Sequence, residues 1–156
     1  MMAKSHVVVG LAAWVVVAPL LQLSPSDPLY LTLAVAGALL PDVDHPKSWV
    51  GQRVWPVSAA IASVLGHRGV THSAAAVAVL ALVLSHVGWR RATVVALAVG
   101  YLSHLAADML TPQGLRLAWP MRRTWGVPLC RSGSLAEALV VGLVCGAAGW
   151  IAHSRA

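Results

Sequence analysis

Long stretches without a single Lys, Arg, Asp or Glu constrain this chain more than any motif does. Residues 7–23, 71–87 and 92–107 are runs of this kind, and residues 135–151 carry only Glu137. Soluble domains carry about 25% charged residues because a water-facing surface needs them. Here the charged fraction is 10%, the hydrophobic fraction 58% and the mean hydropathy +0.76. Folding cannot create the missing surface charge, so the chain is expected to sit in a bilayer. There, helices are favoured because each satisfies its own backbone hydrogen bonds.

The expected fold is all-α: a polytopic membrane helix bundle with about five transmembrane segments. They are drawn at residues 6–23, 29–40, 71–87, 92–110 and 135–151. The second is short against the roughly 20 residues a span needs. A weaker apolar stretch, 54–65, reads as a short re-entrant or interfacial helix. The punctuation agrees with these limits. Asp27 is placed to cap a helix opening with Pro28. Pro41 closes the second segment, Gly88 the third, and Ser134 with Glu137 has capping-box spacing at the start of the fifth. Residues 1–156 read as one transmembrane helical domain. Residues 111–133, rich in Pro, Gly, Arg and Trp, read as an extended interfacial loop, anchored by its aromatic and basic side chains or serving as a lid.

Lys4 ahead of an apolar run raises the question of a signal peptide. The run is long for one and no small-residue cleavage site follows, so a retained helix is expected. The net charge is +6. Its basic residues lie in short segments between apolar runs, a pattern that favours membrane orientation and anionic lipid over nucleic acid. With alternating segments, Lys4, Lys47, Arg53, Arg68, Arg116, Arg122, Arg123 and Arg131 fall on one side and Arg90, Arg91 and Arg155 on the other. That bias of eight to three makes the first side cytoplasmic. Cys130 and Cys145 are too far apart in sequence for a zinc knuckle or a disulfide framework. The oligomeric state is left open.

Five acids serve the whole chain. Asp27 and Glu137 have capping positions; Asp42, Asp44 and Asp108 each lie near a histidine. Topology brings these together. His6 opens the first segment, Asp42, Asp44 and His45 follow the second, His67 and His72 flank the start of the third, and His104 and Asp108 close the fourth. Alternation alone puts all four of those ends on one face of the bilayer. His104 and Asp108, four apart, share a helix face, and an ionisable group inside an apolar segment is normally paired, metal-bound or wet. Each cluster has an ordinary reading as a cap, an interfacial histidine or a helix-locking pair. Their joint convergence favours a metal site. His86 and His153 fall on the opposite face.

Nitrogen and oxygen donors without thiolate suit Zn, with Mn or Fe as alternatives. The ligand set is His6, Asp42, Asp44, His45, His67, His72, His104 and Asp108, with His45 the least certain, and it is large enough for more than one ion. A divalent ion held this way acidifies its water and neutralises a transferring phosphoryl group. Arg68 would stabilise transition-state charge there, or act as a positive-inside anchor. Asp44 is the candidate general base. Ser5, Thr71, Ser73 and Ser103 adjoin the histidines as supporting donors or helix caps.

The strings Ser5-His6-x-x-x-Gly10, Leu40-Pro41-Asp42-x-Asp44-His45-Pro46, His67-Arg68-Gly69-x-Thr71-His72-Ser73 and Gly100-Tyr101-x-Ser103-His104-x-x-x-Asp108 resemble the YdjM-like inner-membrane proteins, a family described as metal-dependent hydrolases. Leu110-Thr111-Pro112-x-Gly114 and Trp119-Pro120 extend the likeness, which covers about residues 4–120. Ser5 stands where that family is expected to have Thr. The motif order is also, more weakly, similar to zinc-dependent phospholipase C and related nucleases. These resemblances imply a hydrolase acting on a phosphoester such as a phospholipid or a lipid-linked phosphate. The residues alone leave two other readings open: a metal transporter or sensor, and a structural membrane protein with helix-locking His–Asp pairs. Transport would require polar residues continuing across the bilayer, and the helix halves away from the cluster offer almost none.

Overall fold

A computed structural model describes residues 1–65, 69–121 and 123–154. Among them are seven α-helices: α1 (Ala3–Val17), α2 (Pro28–Leu39), α3 (Trp49–Arg53), α4 (Trp55–Leu65), α5 (Ala74–His86), α6 (Arg91–Met109) and α7 (Leu135–His153). Short 3-10 turns occupy Ala18–Leu21, Leu40–Asp44 and Val70–His72. The polar residues at the boundaries explain where the helices start. Asp27 accepts from the Leu29 N–H at 2.9 Å, Ser48 from Gly51 at 2.8 Å, Ser73 from Ala76 at 3.3 Å and Ser134 from Glu137 at 3.3 Å. Each satisfies an otherwise unpaired amide of a first helical turn.

Among the described residues, three helical stretches are long and apolar enough to cross a membrane: Ala3–Leu21, Arg91–Met109 and Leu135–His153, each of 19 residues. At about 1.5 Å per residue each measures roughly 28 Å, close to the hydrocarbon thickness of about 30 Å. Helices α2 and α5, of 12 and 13 residues, are shorter than a straight span. The segment expected at 71–87 is divided, because Ser73 ends the Val70–His72 turn and caps α5. The stretch expected at 54–65 is a discrete helix, α4, and α3 precedes it without having been expected from the sequence.

Helix α6 is the centre of the bundle: α2, α1 and α5 pack on it, and α7 packs on α1. The α2–α6 contact is made backbone to backbone. A Cβ on Gly37 would lie 2.0 Å from the Leu97 carbonyl oxygen, and one on Gly100 would lie 1.9 Å from that of Ala34. Small residues allow this approach where lipid supplies no hydrophobic drive between helices. Trp14, Ala18, Ala34 and Ala96 form one buried apolar cluster, and Val77, Tyr101, Leu105 and Leu115 another. Leu82, Leu143 and Trp150 point outward with most of their surface exposed, as a lipid-facing exterior requires.

The described residues of 111–133 form a hairpin-like strap. Leu115 and Trp125 pair as an isolated antiparallel bridge. The strap donates from Val127 to the Met109 carbonyl at 2.8 Å and from Leu129 to that of Leu110 at 3.0 Å, and it accepts from Ala74 at Leu117 at 3.0 Å. It thereby fills hydrogen-bonding positions left open at the end of α6 and the start of α5. Trp119 and Trp125 stay exposed, and the Arg123 guanidinium lies 4.3 Å above the Trp125 ring.

Candidate metal centre

The chain directions of the helices determine what meets at one end of the bundle. Helices α1 and α5 begin there; α2 and α6 end there. His6 lies in the first turns of α1, His104 and Asp108 lie one turn apart near the end of α6, and Asp42 and Asp44 lie in the turn after α2. His72 closes the turn before α5. His6, Asp44, His72, His104 and Asp108 are buried, and Asp42 is half-buried.

Two triads bring their donor atoms within 4.8 Å of one another: His6, His104 and Asp108, and Asp42, His72 and His104. His104 belongs to both. Its Nδ1 lies 2.7 Å from the Ala38 carbonyl oxygen, and backbone contact there makes Nδ1 the protonated donor. The Nε2 lone pair then faces the carboxylates, 3.7 Å from Asp108 Oδ2 and 4.0 Å from Asp42 Oδ1. His6 Nε2 is 3.4 Å from Asp108 Oδ1, and the Met1 ammonium is 2.5 Å from the same oxygen. His72 Nε2 is 3.9 Å from Asp108 Oδ2.

This donor set fits a divalent ion. His104 Nε2 is buried and has no hydrogen-bond partner among the described residues. A buried nitrogen in that state is costly unless something else engages it. Neutral imidazoles and carboxylates converging on one point supply what zinc, manganese or iron takes.

Asp44 lies outside both triads, on the far side of the His72 ring. It accepts a very short hydrogen bond from the Thr71 hydroxyl, and its Oδ2 is 3.4 Å from His72 Nδ1. The Thr71 hydroxyl is also 3.1 Å from that nitrogen, and Tyr101 donates to the Thr71 carbonyl at 2.6 Å. A carboxylate on the outer nitrogen of a histidine fixes its tautomer and leaves the inner nitrogen for a metal. Tyr101 is the supporting residue to which sequence reasoning gave no role; only its place next to Gly100 in a recurring string marked it. Ser73 and Ser103 turn to local backbone instead, at Val70 and Gly100.

His45 belongs to neither triad and lines a cavity beside Asp42. His67 and Arg68, and Arg122 and Arg155 from the charge pattern, lie outside the described residues. His86 and His153 are exposed at the opposite ends of α5 and α7. Glu137 does more than cap: its carboxylate accepts from the amides of Met2 at 2.8 Å and Gly133 at 2.6 Å, tying the start of α7 to the start of α1.

The sequence profile of the YdjM inner membrane protein family matches residues 1–156. The Inner membrane protein YdjM of Escherichia coli (strain K12) is 41% identical over 128 residues, covering 78% of this chain and 65% of its own length. The Shigella flexneri protein of the same name gives the same values. The chain thus spans 65% of the length of these two relatives. Uncharacterized protein YvsG of Bacillus subtilis (strain 168) is 30% identical over 142 residues, covering 90% of this chain and 88% of its own length. No solved structure matches the chain.

Proposed function

Because the chain belongs to the YdjM inner membrane protein family, we propose that it is a membrane-embedded, metal-dependent hydrolase of a phosphoester, a phospholipid or a lipid-linked phosphate. The observation that carries this reading is the pair of buried His/Asp triads sharing His104 at one end of the bundle. A divalent metal, zinc first among the choices, would supply Lewis acidity and an activated water. His6, Asp42, His72, His104 and Asp108 are the primary ligands in this reading, with His45 and His67 as additional donors. Asp44 holds His72 in its ligating tautomer from the far side of the ring and would act as a base only through that imidazole. Arg68 would neutralise charge on the phosphoryl oxygens. In the reaction, the water oxygen bonds to phosphorus, the ester P–O bond breaks, and the proton from water leaves on the alcohol.

In the accompanying topology the five segments span the inner membrane as a single domain. Helices α2 and α5 are completed at the site end by their 3-10 turns, α4 stays at the interface, and the strap at 111–133 anchors there. The excess of Lys and Arg counted on that side in the sequence supports a cytoplasmic face for the site. The buried Trp14, Ala18, Ala34 and Ala96 cluster, away from the site, fills that part of the bundle with apolar side chains, which supports hydrolysis over transport.

The test is to purify the protein in mild detergent, quantify bound metals, and measure phosphate release from a phospholipid panel. Stoichiometric zinc with turnover is expected. No metal after purification, together with no uptake from added zinc, overturns the reading; metal without turnover transfers it to a sensor or transporter.

A further inference from the structure

Beside the triads lies a cavity of about 780 Å³, in the size range of small-molecule sites. One wall is a single face of α1, where Val7 and Val8 stand one turn beyond Lys4; the other is Leu39 at the end of α2 and Trp49 of α3. Asp42 and His45 form its polar end. Asp42 is therefore shared: it belongs to a metal-ligand triad and to the cavity wall.

We propose that this cavity seats an acyl chain of a phospholipid, which reaches the triads sideways from the bilayer and presents its phosphoester to them. The inference rests on the hydrolase reading above and names its substrate class.

Polarity along the groove runs in one direction. The cationic Lys4, the imidazole of His45 and the carboxylate of Asp42 lie at the end where α1 begins, which is the end facing the membrane boundary. Arg53 extends this cationic rim, with its guanidinium 3.5 Å above the Trp49 ring. An indole and a cation together are the usual furniture of the headgroup layer. Val7, Val8 and Leu39 lie deeper, where hydrocarbon would. The groove is also open along its flank: Val8 is 38% exposed and Trp49 53%. A water-soluble phosphoester would meet apolar walls that give it nothing. An amphiphile already aligned in the bilayer matches both ends at once, and it arrives with its phosphate at the depth of Asp42.

The experiment uses the full chain in nanodiscs of phosphatidylethanolamine and phosphatidylglycerol, with a phosphatidylglycerol carrying a diazirine on its acyl chain as probe. Photocrosslinks are expected to concentrate on Val7, Val8 and Leu39. Leu39→Trp, which fills the groove, is expected to lower that labelling about tenfold, as a blocked apolar pocket does. Val8→Trp is the second variant, at a position exposed enough to fold, and Leu143→Trp on the outer face of α7 is the control that keeps full labelling. Crosslinks spread over the outer faces of α5 and α7, or groove labelling unchanged in both Trp variants, overturn the proposal. Wild-type hydrolysis of soluble bis(p-nitrophenyl) phosphate is measured in parallel. Groove labelling without turnover of either ester would remove the hydrolase reading and leave a lipid seat; turnover of the soluble ester without groove labelling would remove the seat and leave the hydrolase.

Discussion

The imidazoles of His6 and His104 are stacked, with ring centroids 3.7 Å apart and planes 13° from parallel. The stack joins the first helix to the central one and aims Nε2 of both rings at the two oxygens of Asp108. An imidazole that engages a metal does so through one ring nitrogen, and this stack turns that nitrogen of each ring toward the same carboxylate.

Replacing His104 should therefore weaken whichever triad holds the ion, because both use its single free nitrogen. His104→Ala is expected to reduce bound zinc at least about tenfold, a loss typical of a damaged metal shell. His86→Ala, at the far end of α5, should leave the metal content unchanged. Elemental analysis of the purified proteins decides it, and equal zinc in both variants would contradict the assignment.

The Thr71–Asp44–His72 contact makes a separate prediction. Thr71→Val keeps the shape but removes the donor to Asp44, freeing that carboxylate to turn away from the His72 ring. Zinc affinity should fall by about 10–100-fold with the helical fold retained. Competition titration against a chelator measures the first, and circular dichroism the second.

Gly37 and Gly100 should tolerate no side chain. A methyl group at either would meet backbone carbonyl oxygen at 2.0 or 1.9 Å, so α2 and α6 must separate. Gly37→Ala and Gly100→Ala are each expected to destabilise by about 1–3 kcal/mol or more. Gly142→Ala on α7, where a Cβ meets nothing within 4 Å, should be neutral or slightly stabilising through its better helix propensity. Thermal unfolding in detergent compares the three.

Cys130 offers a test of the strap. Its thiol donates to the Leu110 carbonyl at 3.6 Å, and burial raises its pKa above the ordinary value, with the Glu137 carboxylate adding to the rise. A raised pKa favours the protonated thiol in the folded state. Cys130 therefore contributes stability below the ordinary thiol value, and that contribution is lost as pH climbs through the raised one. Iodoacetamide, which needs thiolate, should modify folded Cys130 at least about tenfold more slowly than the unfolded chain near pH 8.5. Equal rates would mean that the strap does not shield the thiol.

Much of this architecture could be read without coordinates, for a topological reason. Alternating helices send the ends that carry His6, Asp42, His72, His104 and Asp108 to the same face whatever the details of packing. Caps at Asp27 and Ser134 were also legible, because a side-chain oxygen next to a first helical turn has few other partners. The division of labour between Asp42 and Asp44 was not. Two residues apart in a 3-10 turn, Asp42 joins a triad while Asp44 meets Nδ1 of His72, and only side-chain direction separates a ligand-like acid from one that holds a ring in place. The strap at 111–133 read as an extended loop because its order comes from backbone bonds to Met109, Leu110 and Ala74, which leave no periodicity in the sequence. The helix α3 was hidden for a similar reason: five residues are too few to show a period.

His104 turns its Nδ1 to the Ala38 carbonyl and leaves a single nitrogen for the two triads it joins. One lone pair can serve one ion at a time. The triads are therefore rival seats for a first cation, and a second would have to assemble its shell from donors that His104 does not lend. Occupancy at this centre should rise in two unequal steps, the first tight and the second dependent on ligands from the turns flanking α2 and α5.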